Sequence, residues 1–425
     1  MVTLGCKVNQ FESAAMQAIL REAGYAMVPK GHPADVTIIN TCTVTHRADF
    51  ESRNLIRRAG RANPLGRIIA TGCLAQSAPD ELAGIDGVTL VLGQDEKPYF
   101  LDHLNAGTEG VLVGPPGKRN VLAGYGFPEF DRTRAFLRIQ DGCNAACAYC
   151  AVPRARGGSR SLPSDSVLAG LDHYYEHGYK EVVLTGIHLG LWGHDLDSPM
   201  DLAALLEKAA ERPGPRLRLS SIEPNEVTEA IVLMARSGPQ LCPHLHLPLQ
   251  SGSDRILRAM RRPYSAGLFE ELVTALAGDN DEFCIGADVL VGFPGEDPAA
   301  FEETRALLER LPLSYFHVFP YSKRPRTMAG SMPDHVPEKE KKARVEILRE
   351  LGRVKRSAFY QRQVGRIRPT LVESSRDSAT GLAVGVSDNY IRLLLPPDEV
   401  EANTVIPVKI ESLGTDGRVT GRPVK

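Results

Sequence analysis

The sequence lacks the features of membrane-spanning and exported chains. No stretch approaches the roughly 18 consecutive apolar residues of a membrane helix, and the best candidate, residues 181–192, is short and interrupted by Thr, His and Gly. The chain opens on MVTLGCKVNQFES, without the basic and then apolar segments of a secretion signal. We therefore expect a soluble protein of the cytoplasm that has no membrane partner.

Cysteine is scarce, with eight residues in 425, far below the density of a disulfide-stabilised secreted scaffold. A net charge of −2 provides no overall attraction to nucleic acid. The apolar fraction of 43% and the charged fraction of 24% exclude a disordered or fibrous chain. In a reducing cytosol, clustered cysteines indicate metal binding or redox chemistry rather than disulfides.

The charge that is present is unevenly distributed. Residues 323–368 contain 14 Lys and Arg against five Asp and Glu, and the rest of the chain compensates with a net charge of −11. This basic segment predicts either a surface that contacts phosphates or the solvated face of a charged helix.

The order of apolar runs and amphipathic stretches predicts several folded parts. Over 1–112, buried strands alternate with helical stretches, which is typical of a parallel sheet with helices on its faces. Residues 113–130 are rich in Gly and Pro and are expected to form a linker. The strands expected in the first part are residues 2–5, 36–40, 67–71 and 88–93.

A second alternating series follows over 131–336, with six predicted strands. Because a closed barrel of this type needs eight strand–helix units, we expect an open, partial (β/α)6 barrel. A charged helical connector is expected over 337–361, and short strands with polar turns over 362–425 predict a small all-β barrel. The small barrel has few aromatic residues, so we expect it to contact an RNA backbone rather than stack on bases.

Three cysteines follow the first predicted barrel strand at a CxxxCxxC spacing, where active sites of such barrels lie. They are Cys143, Cys147 and Cys150. Three thiolates bind three irons of a [4Fe–4S] cluster and leave the fourth iron open, whereas structural zinc uses four protein ligands. The alternative is a chance group of core or zinc-binding cysteines. The motif on a partial barrel resembles the radical S-adenosylmethionine superfamily, in which the open iron binds S-adenosylmethionine.

Cys6, Cys42 and Cys73 each follow a predicted strand of the first sheet. In an open parallel sheet, ligands bind beyond the carboxyl ends of the strands, so these three thiols can meet at one edge. Each one alone would be explained as a buried core residue, but their shared position predicts another three-thiolate site. In chain order, we call Cys6, Cys42 and Cys73 the first cysteine set and Cys143, Cys147 and Cys150 the second. Cys242 and Cys284 have no such partners and are expected in the core.

Two cysteine sets in this order, followed by a small β-barrel, resemble the methylthiotransferases over essentially the whole chain. The segments TLGCKVNQFES, INTCTVTHRADFESRNLIRRAGRANP and TGCLAQ are similar to the branch that acts on threonylcarbamoyladenosine at position 37 of tRNA. The branch that acts on isopentenyladenosine is expected to have Gln-Met-Asn after its first cysteine, where this chain has Lys7-Val8-Asn9. The branch that acts on ribosomal protein S12 typically reads GCPKN there.

The resemblance implies two [4Fe–4S] clusters, one on each cysteine set, with S-adenosylmethionine as cosubstrate. It also implies an S-adenosylmethionine pocket at the strand ends of the barrel, in the segments LTGIHLG, SSIEPNEV, LHLPLQSGSDRILRAMRRPYS, DVLVGFPGE and FHVFPYSKR. A glycine there allows close backbone approach, polar side chains donate and accept hydrogen bonds, and an aromatic ring lies under the adenine. The residues expected to line the pocket are Tyr149, Gly186, Ser220, Glu223 and Gln250.

The implied substrate is the anticodon loop of a tRNA, and the implied electron donor is a flavodoxin-like or ferredoxin-like protein. Because the threonylcarbamoyl group carries a carboxylate, we expect a cation near the first cysteine set to bind it. Arg53, Arg57 and Arg58 are the candidates, and a solvated basic helix face explains them equally well.

Alternatives stay open at this point. Within the same family, the chain could methylthiolate isopentenyladenosine or ribosomal protein S12. Outside it, an iron–sulfur carrier or electron-transfer protein would explain the cysteines but not the pocket motifs, and an RNA-binding module would use its clusters structurally. Formation of 5′-deoxyadenosine from S-adenosylmethionine under reducing conditions distinguishes the enzyme from both of these classes.

Overall fold

The computed structural model describes residues 1–29, 31–117, 122–278 and 282–424. Its first part is a five-stranded sheet with helices. Its strands are β1 (Val2–Thr3), β2 (Val36–Thr41), β3 (Arg67–Gly72), β4 (Val88–Leu92) and β5 (Gly110–Leu112). Its helices are α1 (Lys7–Glu22), α2 (His46–Ala62), α3 (Cys73–Ser77), α4 (Pro79–Ala83) and α5 (Phe100–Asn105). The strands lie side by side in chain order, and each one pairs in parallel with the next. Each connection therefore leads to the adjacent strand.

Local sequence explains most of these elements. β2 and β3 are β-branched runs whose later residues are buried, as expected for strands that are covered on both faces. The side chain of Thr45 accepts a hydrogen bond from the Ala48 amide and so caps the start of α2. The sequence pattern did not predict β5, which has only three residues and pairs with β4 at the edge of the sheet.

The second part contains six parallel strands and a short hairpin. Its strands are β6 (Ala135–Arg138), the hairpin β7 (Gln140–Asp141) and β8 (Arg160–Ser161), β9 (Glu181–Thr185), β10 (Arg216–Leu219), β11 (His244–Gln250), β12 (Cys284–Val291) and β13 (Tyr315–Pro320). Its helices are α6 (Val152–Arg156), α7 (Ser164–Glu176), α8 (Leu202–Ala210), α9 (Glu229–Ser237), α10 (Asp254–Ala259), α11 (Ala266–Ala277) and α12 (Pro298–Arg310).

The six long strands form two sheets, in the orders β10-β9-β6 and β11-β12-β13. One parallel bridge, between Leu217 and Leu241, connects the two sheets. Within the described ranges, no pairing between β6 and β13 closes the barrel. The predicted α/β class with an open, partial (β/α)6 barrel is therefore confirmed.

Alternate residues of the barrel strands face opposite sides. Leu245, Leu247 and Ala287 pack in the main core together with the helices. The residues between them therefore face the interior of the barrel, which we call the lumen. Side chains on the lumen side of β11, β12 and β13 include His244, His246, Asp288, Tyr315 and His317.

The first part of the chain covers one side of the lumen. Phe11 and Ala15 of α1 share a buried core with Phe136 of β6 and Val183 of β9. Because these two barrel residues alternate with those that pack on the outer helices, α1 lies against the inner face of the barrel.

A long helix and a closed barrel complete the chain. Helix α13 (Glu338–Gln363) leads into five strands in the order β14-β15-β16-β18-β17, and β17 pairs with β14 to close the barrel. This confirms the predicted small all-β barrel, whose closure leaves no unpaired edge. The strands are β14 (Ile367–Arg376), β15 (Ala383–Ser387), β16 (Arg392–Leu395), β17 (Val405–Leu413) and β18 (Val419–Pro423).

The small barrel packs against one end of the lumen. Arg218 of β10 donates hydrogen bonds to the carbonyl oxygens of Ser387 and Asp388, at 3.2 and 3.0 Å. The ring of Tyr390 stacks on that of His244 with the centroids 4.3 Å apart. Tyr390, the aromatic residue of the small barrel, therefore contacts the protein interior.

Part of the predicted linker is packed rather than extended. Leu122 and Tyr125 are buried, and the Arg138 guanidinium lies 4.8 Å from the centroid of the Tyr125 ring. Residues 118–121 of the linker lie outside the described residues. In the described part of the chain, no helix combines the length and apolar character that crossing a membrane requires.

Candidate active site

The second cysteine set lies in a tight loop after β7. Gly142 has φ of +71°, and a Cβ there would lie 1.9 Å from the Gly158 carbonyl oxygen, so only glycine fits. The Cys143 amide donates to the Gly157 carbonyl oxygen at 3.0 Å, which fixes the start of the loop. Cys143, Cys147 and Cys150 are all half-buried, as expected for ligands of a group that a cosubstrate must reach.

A histidine contacts this set. His188 Nδ1 lies 3.1 Å from Cys143 Sγ, and its Nε2 lies 2.6 Å from Glu226 Oε1. Burial alone lowers the pKa of His188, but the hydrogen bonds to Cys143 and Glu226 raise it to about 10. The sequence pattern does not distinguish this pair, although His188 lies in LTGIHLG and Glu226 in SSIEPNEV, two of the predicted pocket segments.

An arginine contacts the same set from another side. Arg262 Nη1 donates to Cys147 Sγ at 3.2 Å, and its Nη2 forms an ion pair with Glu223. Arg262 Nε also donates to the Tyr264 hydroxyl at 3.0 Å. Arg262 lies in the RRPYS part of a predicted pocket segment, but its role could not be predicted, because a lone arginine in a loop has no distinctive spacing.

The first cysteine set assembles at one edge of the parallel sheet. Cys6 precedes α1, Cys42 follows β2 and Cys73 begins α3, and the last two are buried. Burial, followed by the neighbouring Cys73, raises the pKa of Cys42 to about 12, and Cys6 contributes to the same shift. The structure therefore brings together the three thiols that the sequence placed at equivalent strand ends.

A buried network of charges stands beside this set. Glu12 of α1 pairs with Lys97 at 2.6 Å and with Arg138 and Arg156 at 3.0 Å each. Arg156 also pairs with Asp141 at 2.8 Å. Burial alone raises the pKa of Glu12, but its three cationic neighbours hold that pKa well below its usual range.

The network connects the two cysteine sets. Arg156 ends α6, the helix that follows Cys150, and it donates a hydrogen bond to Asn9 of α1. Helix α3, which begins at Cys73, packs against α6. The electrostatic influence of Arg156 extends to Cys6 and Cys73. The two sets therefore lie on either side of the contact between α3 and α6.

The donor chemistry of both sets fits iron. All eight cysteines are free thiols, and each set offers three of them without a fourth cysteine partner. Ser220 Oγ, at the carboxyl end of β10, is buried without a hydrogen-bond partner among the described residues. A cosubstrate bound beside the second set would satisfy such an atom.

Profiles of two protein families match the chain. The profile of the radical SAM superfamily matches residues 137–308, and that of an uncharacterized protein family, UPF0004, matches residues 1–93. The chain is 38% identical to the threonylcarbamoyladenosine tRNA methylthiotransferase MtaB of Thermotoga maritima, over 99% of this chain and 96% of that protein. The chain belongs to the radical S-adenosylmethionine methylthiotransferase family. The MtaB protein of Bacillus subtilis is 37% identical, over 97% of this chain and 93% of that protein.

Other comparisons give more distant matches. The tRNA-2-methylthio-N6-dimethylallyladenosine synthase of Neisseria meningitidis is 31% identical, over 96% of this chain and 95% of that protein. The solved structure of the radical S-adenosylmethionine methyltransferase TsrM from Kitasatospora setae, with cobalamin and a [4Fe–4S] cluster bound, has a TM-score of 0.58. It is 15% identical and covers 77% of this chain and 76% of that one, so it shows a shared fold.

As a radical S-adenosylmethionine tRNA methylthiotransferase, the protein is an enzyme that uses iron–sulfur chemistry and S-adenosylmethionine.

The structure places Glu223 and Tyr149 beside Arg262, with the Tyr149 hydroxyl 3.5 Å from Arg262 Nη1. Gln250 has φ of +63° at the carboxyl end of β11. Burial raises the pKa of Glu223, although Arg262 opposes this shift.

Gly186 has a different neighbour from the one expected of it. A Cβ there would lie 2.8 Å from Gln140 Oε1, which accepts hydrogen bonds from the amides of Ile187 and His188 at 2.8 Å each. The glycine therefore lets the chain turn over Gln140 and places His188 at the second cysteine set. Its predicted contact with a ligand stays a prediction.

The three arginines predicted to bind a carboxylate lie along α2. Arg53 pairs with Glu81 at 2.9 Å, and Arg57 lines a surface cleft with residues 84–87. Arg58 is exposed. The structure does not group these three cations around one point at the first cysteine set, and their role stays a prediction.

Proposed function

We propose that this methylthiotransferase replaces the hydrogen on carbon 2 of N6-threonylcarbamoyladenosine, at position 37 of tRNA, with a methylthio group. The observation that carries the proposal is the pairing of two three-thiol sites across one interface. Helix α3, after the first set, packs against α6, after the second. Such an arrangement suits a reaction that needs a radical source and a sulfur source at the same base.

In this proposal each set holds a [4Fe–4S] cluster with one iron that has no protein ligand. With S-adenosylmethionine bound, the second cluster would supply the radical chemistry that an unactivated C–H bond requires, and the first would supply the sulfur. Cys143, Cys147 and Cys150 would hold the cluster that generates the radical. Cys6, Cys42 and Cys73 would hold the cluster that donates the sulfur.

The chain's own groups orient the cosubstrate. Arg262 carries a fixed positive charge for the carboxylate of S-adenosylmethionine, and Glu223 offers an acceptor for its amino or hydroxyl groups. Ser220 and Gln250 supply further hydrogen bonds from neighbouring strand ends, and Tyr149 packs beside the adenine. His188 holds a proton between Cys143 and Glu226 and so stabilises negative charge on that thiolate.

Helix α13 and the small barrel provide a surface for the tRNA backbone. Arg349, Arg353 and Arg356 of α13 line a cleft of about 700 Å³ together with Arg134 and Arg392. Guanidinium groups bind phosphates without regard to base sequence. We therefore propose that the anticodon loop enters here, and that a flavodoxin-like or ferredoxin-like protein supplies electrons.

The branch assignment is supported by the higher identity to the MtaB proteins, 38% against 31% for the dimethylallyladenosine synthase of Neisseria meningitidis. Mass spectrometry of tRNA nucleosides from a strain that lacks the gene tests it. We expect the methylthio form of threonylcarbamoyladenosine to disappear and to return with the intact gene. Loss of methylthio-isopentenyladenosine, or of the modification on ribosomal protein S12, would assign the enzyme to another branch.

A second measurement separates the enzyme from a carrier or an RNA-binding module. The reconstituted protein is incubated with dithionite and S-adenosylmethionine. We expect 5′-deoxyadenosine, because only a radical enzyme cleaves the cosubstrate in this way. Intact S-adenosylmethionine after incubation of an iron-replete protein would contradict the proposal.

A further inference from the structure

The lumen of the partial barrel contains charged side chains that neither cysteine set uses. Asp288 Oδ1 lies 3.0 Å from His246 Nε2 and 3.2 Å from His317 Nδ1. Burial alone raises the pKa of Asp288, but hydrogen bonds from the two imidazoles hold it well below its usual range. The carboxylate is therefore charged and already has two partners.

The arginines of the lumen are also paired. Arg218 Nε donates to Glu181 at 2.9 Å. Arg134 pairs with Glu373 at 3.0 Å and lies 3.7 Å from Glu181. Each of these charges therefore has a neighbour of opposite sign.

Lys7 is different. It is the first residue of α1, directly after Cys6, and is half-buried. Lys7 precedes Phe11 by four residues, so it lies on the same face of α1, the face that packs against the inner side of the barrel. It forms neither a hydrogen bond nor an ion pair with any residue in the described part of the chain.

The charged groups of the lumen are already engaged with one another. Arg134 and Arg218 pair with Glu181 or Glu373, and Asp288 is shared by two histidines. An anion that entered the lumen would supply the partner that the Lys7 ammonium lacks.

The lumen is accessible from the surface. The cleft of about 700 Å³ beside α13 is lined by arginines of that helix and also by Tyr315 and His317 of the lumen. Arg134, whose charge acts on Lys7, lines the same cleft. A nucleotide whose phosphates contact α13 could therefore extend its base towards Lys7.

We propose that Lys7 binds the carboxylate on the N6 substituent of the substrate adenosine and so selects adenosines with an anionic substituent. The inference rests on the proposed function, because it requires a modified adenosine to enter the lumen. Lys7 adjoins Cys6, so a substituent anchored there would hold the base beside the first cysteine set. Arg53 is less suited to this contact, because it already pairs with Glu81.

The test compares two anticodon stem-loop RNAs that differ in one charge. One carries threonylcarbamoyladenosine, and the other carries its methyl ester, which lacks the negative charge and is larger by one methyl group. Dissociation constants and kcat/KM are measured with the full-length reconstituted enzyme. We expect the wild-type enzyme to prefer the acid by about tenfold or more, as for other charge-assisted hydrogen bonds.

The Lys7→Gln substitution is expected to remove this preference by weakening binding of the acid and leaving that of the ester nearly unchanged. Lys7→Arg keeps the charge and is expected to keep a preference. The matched control is Arg21→Gln, which removes a cation from the same helix where it pairs with Asp131 at the surface. That variant should retain the wild-type ratio.

A Lys7→Gln enzyme that prefers the acid as strongly as the wild type does would overturn the inference. So would loss of the preference in Arg53→Gln, Arg57→Gln or Arg58→Gln instead, which would assign the contact to α2. Because binding does not require turnover, a Lys7→Gln preparation with less iron still reports on the contact. A wild-type enzyme that cleaves S-adenosylmethionine but methylthiolates neither RNA would contradict the proposed function itself.

Discussion

The two cysteine sets are assembled in opposite ways. Cys143, Cys147 and Cys150 come from one loop and are half-buried. Cys42 and Cys73 are buried, and the first set is collected from strand ends more than 30 residues apart. A local motif keeps its geometry through its own loop, whereas a dispersed site depends on the whole sheet and on what packs against it.

A group of buried charges lies beside the first cysteine set, whose geometry depends on the packing of distant segments. Glu12, Lys97, Arg138 and Arg156 form a buried network beside the dispersed set, and Arg156 belongs to the helix that follows the loop of the other set. Removing one partner from such a network leaves an uncompensated charge in the interior. We therefore expect the first site to be the more sensitive to changes in the surrounding protein.

The largest effects should come from the cysteines themselves. Cys147→Ala should abolish 5′-deoxyadenosine formation and methylthiolation, because it removes one of three thiolates from the radical site. Cys73→Ala should lower the iron content by about half and abolish methylthiolation, yet leave S-adenosylmethionine cleavage, if each set holds its own cluster. Product and iron analysis of both proteins measures this separation.

Cys242→Ala is the control, because Cys242 is buried and belongs to neither set. It should retain iron and both activities. Methylthiolated RNA from the Cys73→Ala enzyme would exclude the sulfur-donor role of the first set. Loss of S-adenosylmethionine cleavage in that variant would show that the sites are more tightly coupled than two separate clusters.

The next effect concerns the buried network. Arg156→Leu leaves Glu12 and Asp141 with fewer cationic partners, so α1 should lose about 3–5 kcal/mol of stability against local unfolding. Native-state hydrogen exchange of the α1 amides measures it. Arg47→Leu breaks an exposed pair with Glu51 and should cost less than about 1 kcal/mol. Equal protection of α1 in the two variants would contradict the role of the network.

A third effect concerns Glu181 and its ion pairs with Arg216 and Arg218. Burial alone raises the pKa of Glu181, but Arg218 and Arg216 lower it from its usual 4.5 to about 2. A depressed carboxyl pKa stabilises the fold above pH of about 4.5, by about 3 kcal/mol here, and this contribution is lost as the pH falls towards 2. Unfolding free energies at several pH values should show a weaker acid dependence for Glu181→Gln than for the exposed-site control Glu207→Gln.

The smallest effect concerns single phosphate contacts. Arg356→Ala should weaken tRNA binding equally for all sequences and reduce the slope of log affinity against log salt by about one. Arg356 lines the α13 cleft, whereas the control Arg305 lies on α12 and pairs with Glu302 and Glu309. An unchanged salt slope in Arg356→Ala would indicate that the RNA backbone follows another surface.

Deleting the small barrel is a less specific test of RNA binding. Arg218 donates to the carbonyl oxygens of Ser387 and Asp388, and Tyr390 covers His244. Truncation from residue 362 onward would therefore expose part of the lumen as well as remove an RNA surface. Substitutions of exposed arginines separate the two consequences.

Much of the fold could be predicted from periodicity. The runs VTIINT and RIIATG are continuous and β-branched, so they indicate buried parallel strands regardless of what packs on them. By contrast, β5 has three residues and takes its conformation from pairing with β4. Such an element has too short a pattern to be recognised in isolation.

The sequence by itself determined the chemistry of the two sites. The CxxxCxxC spacing specifies three thiols in one loop, and three cysteines after three parallel strands must meet at one sheet edge. Only the tertiary structure decided which cations and acids surround them, because His188, Arg156 and Arg262 reach their partners through contacts between distant segments. The tertiary structure also decides that Lys7 has no ionic partner among the described residues, because the charged residues around it come from distant segments of the chain.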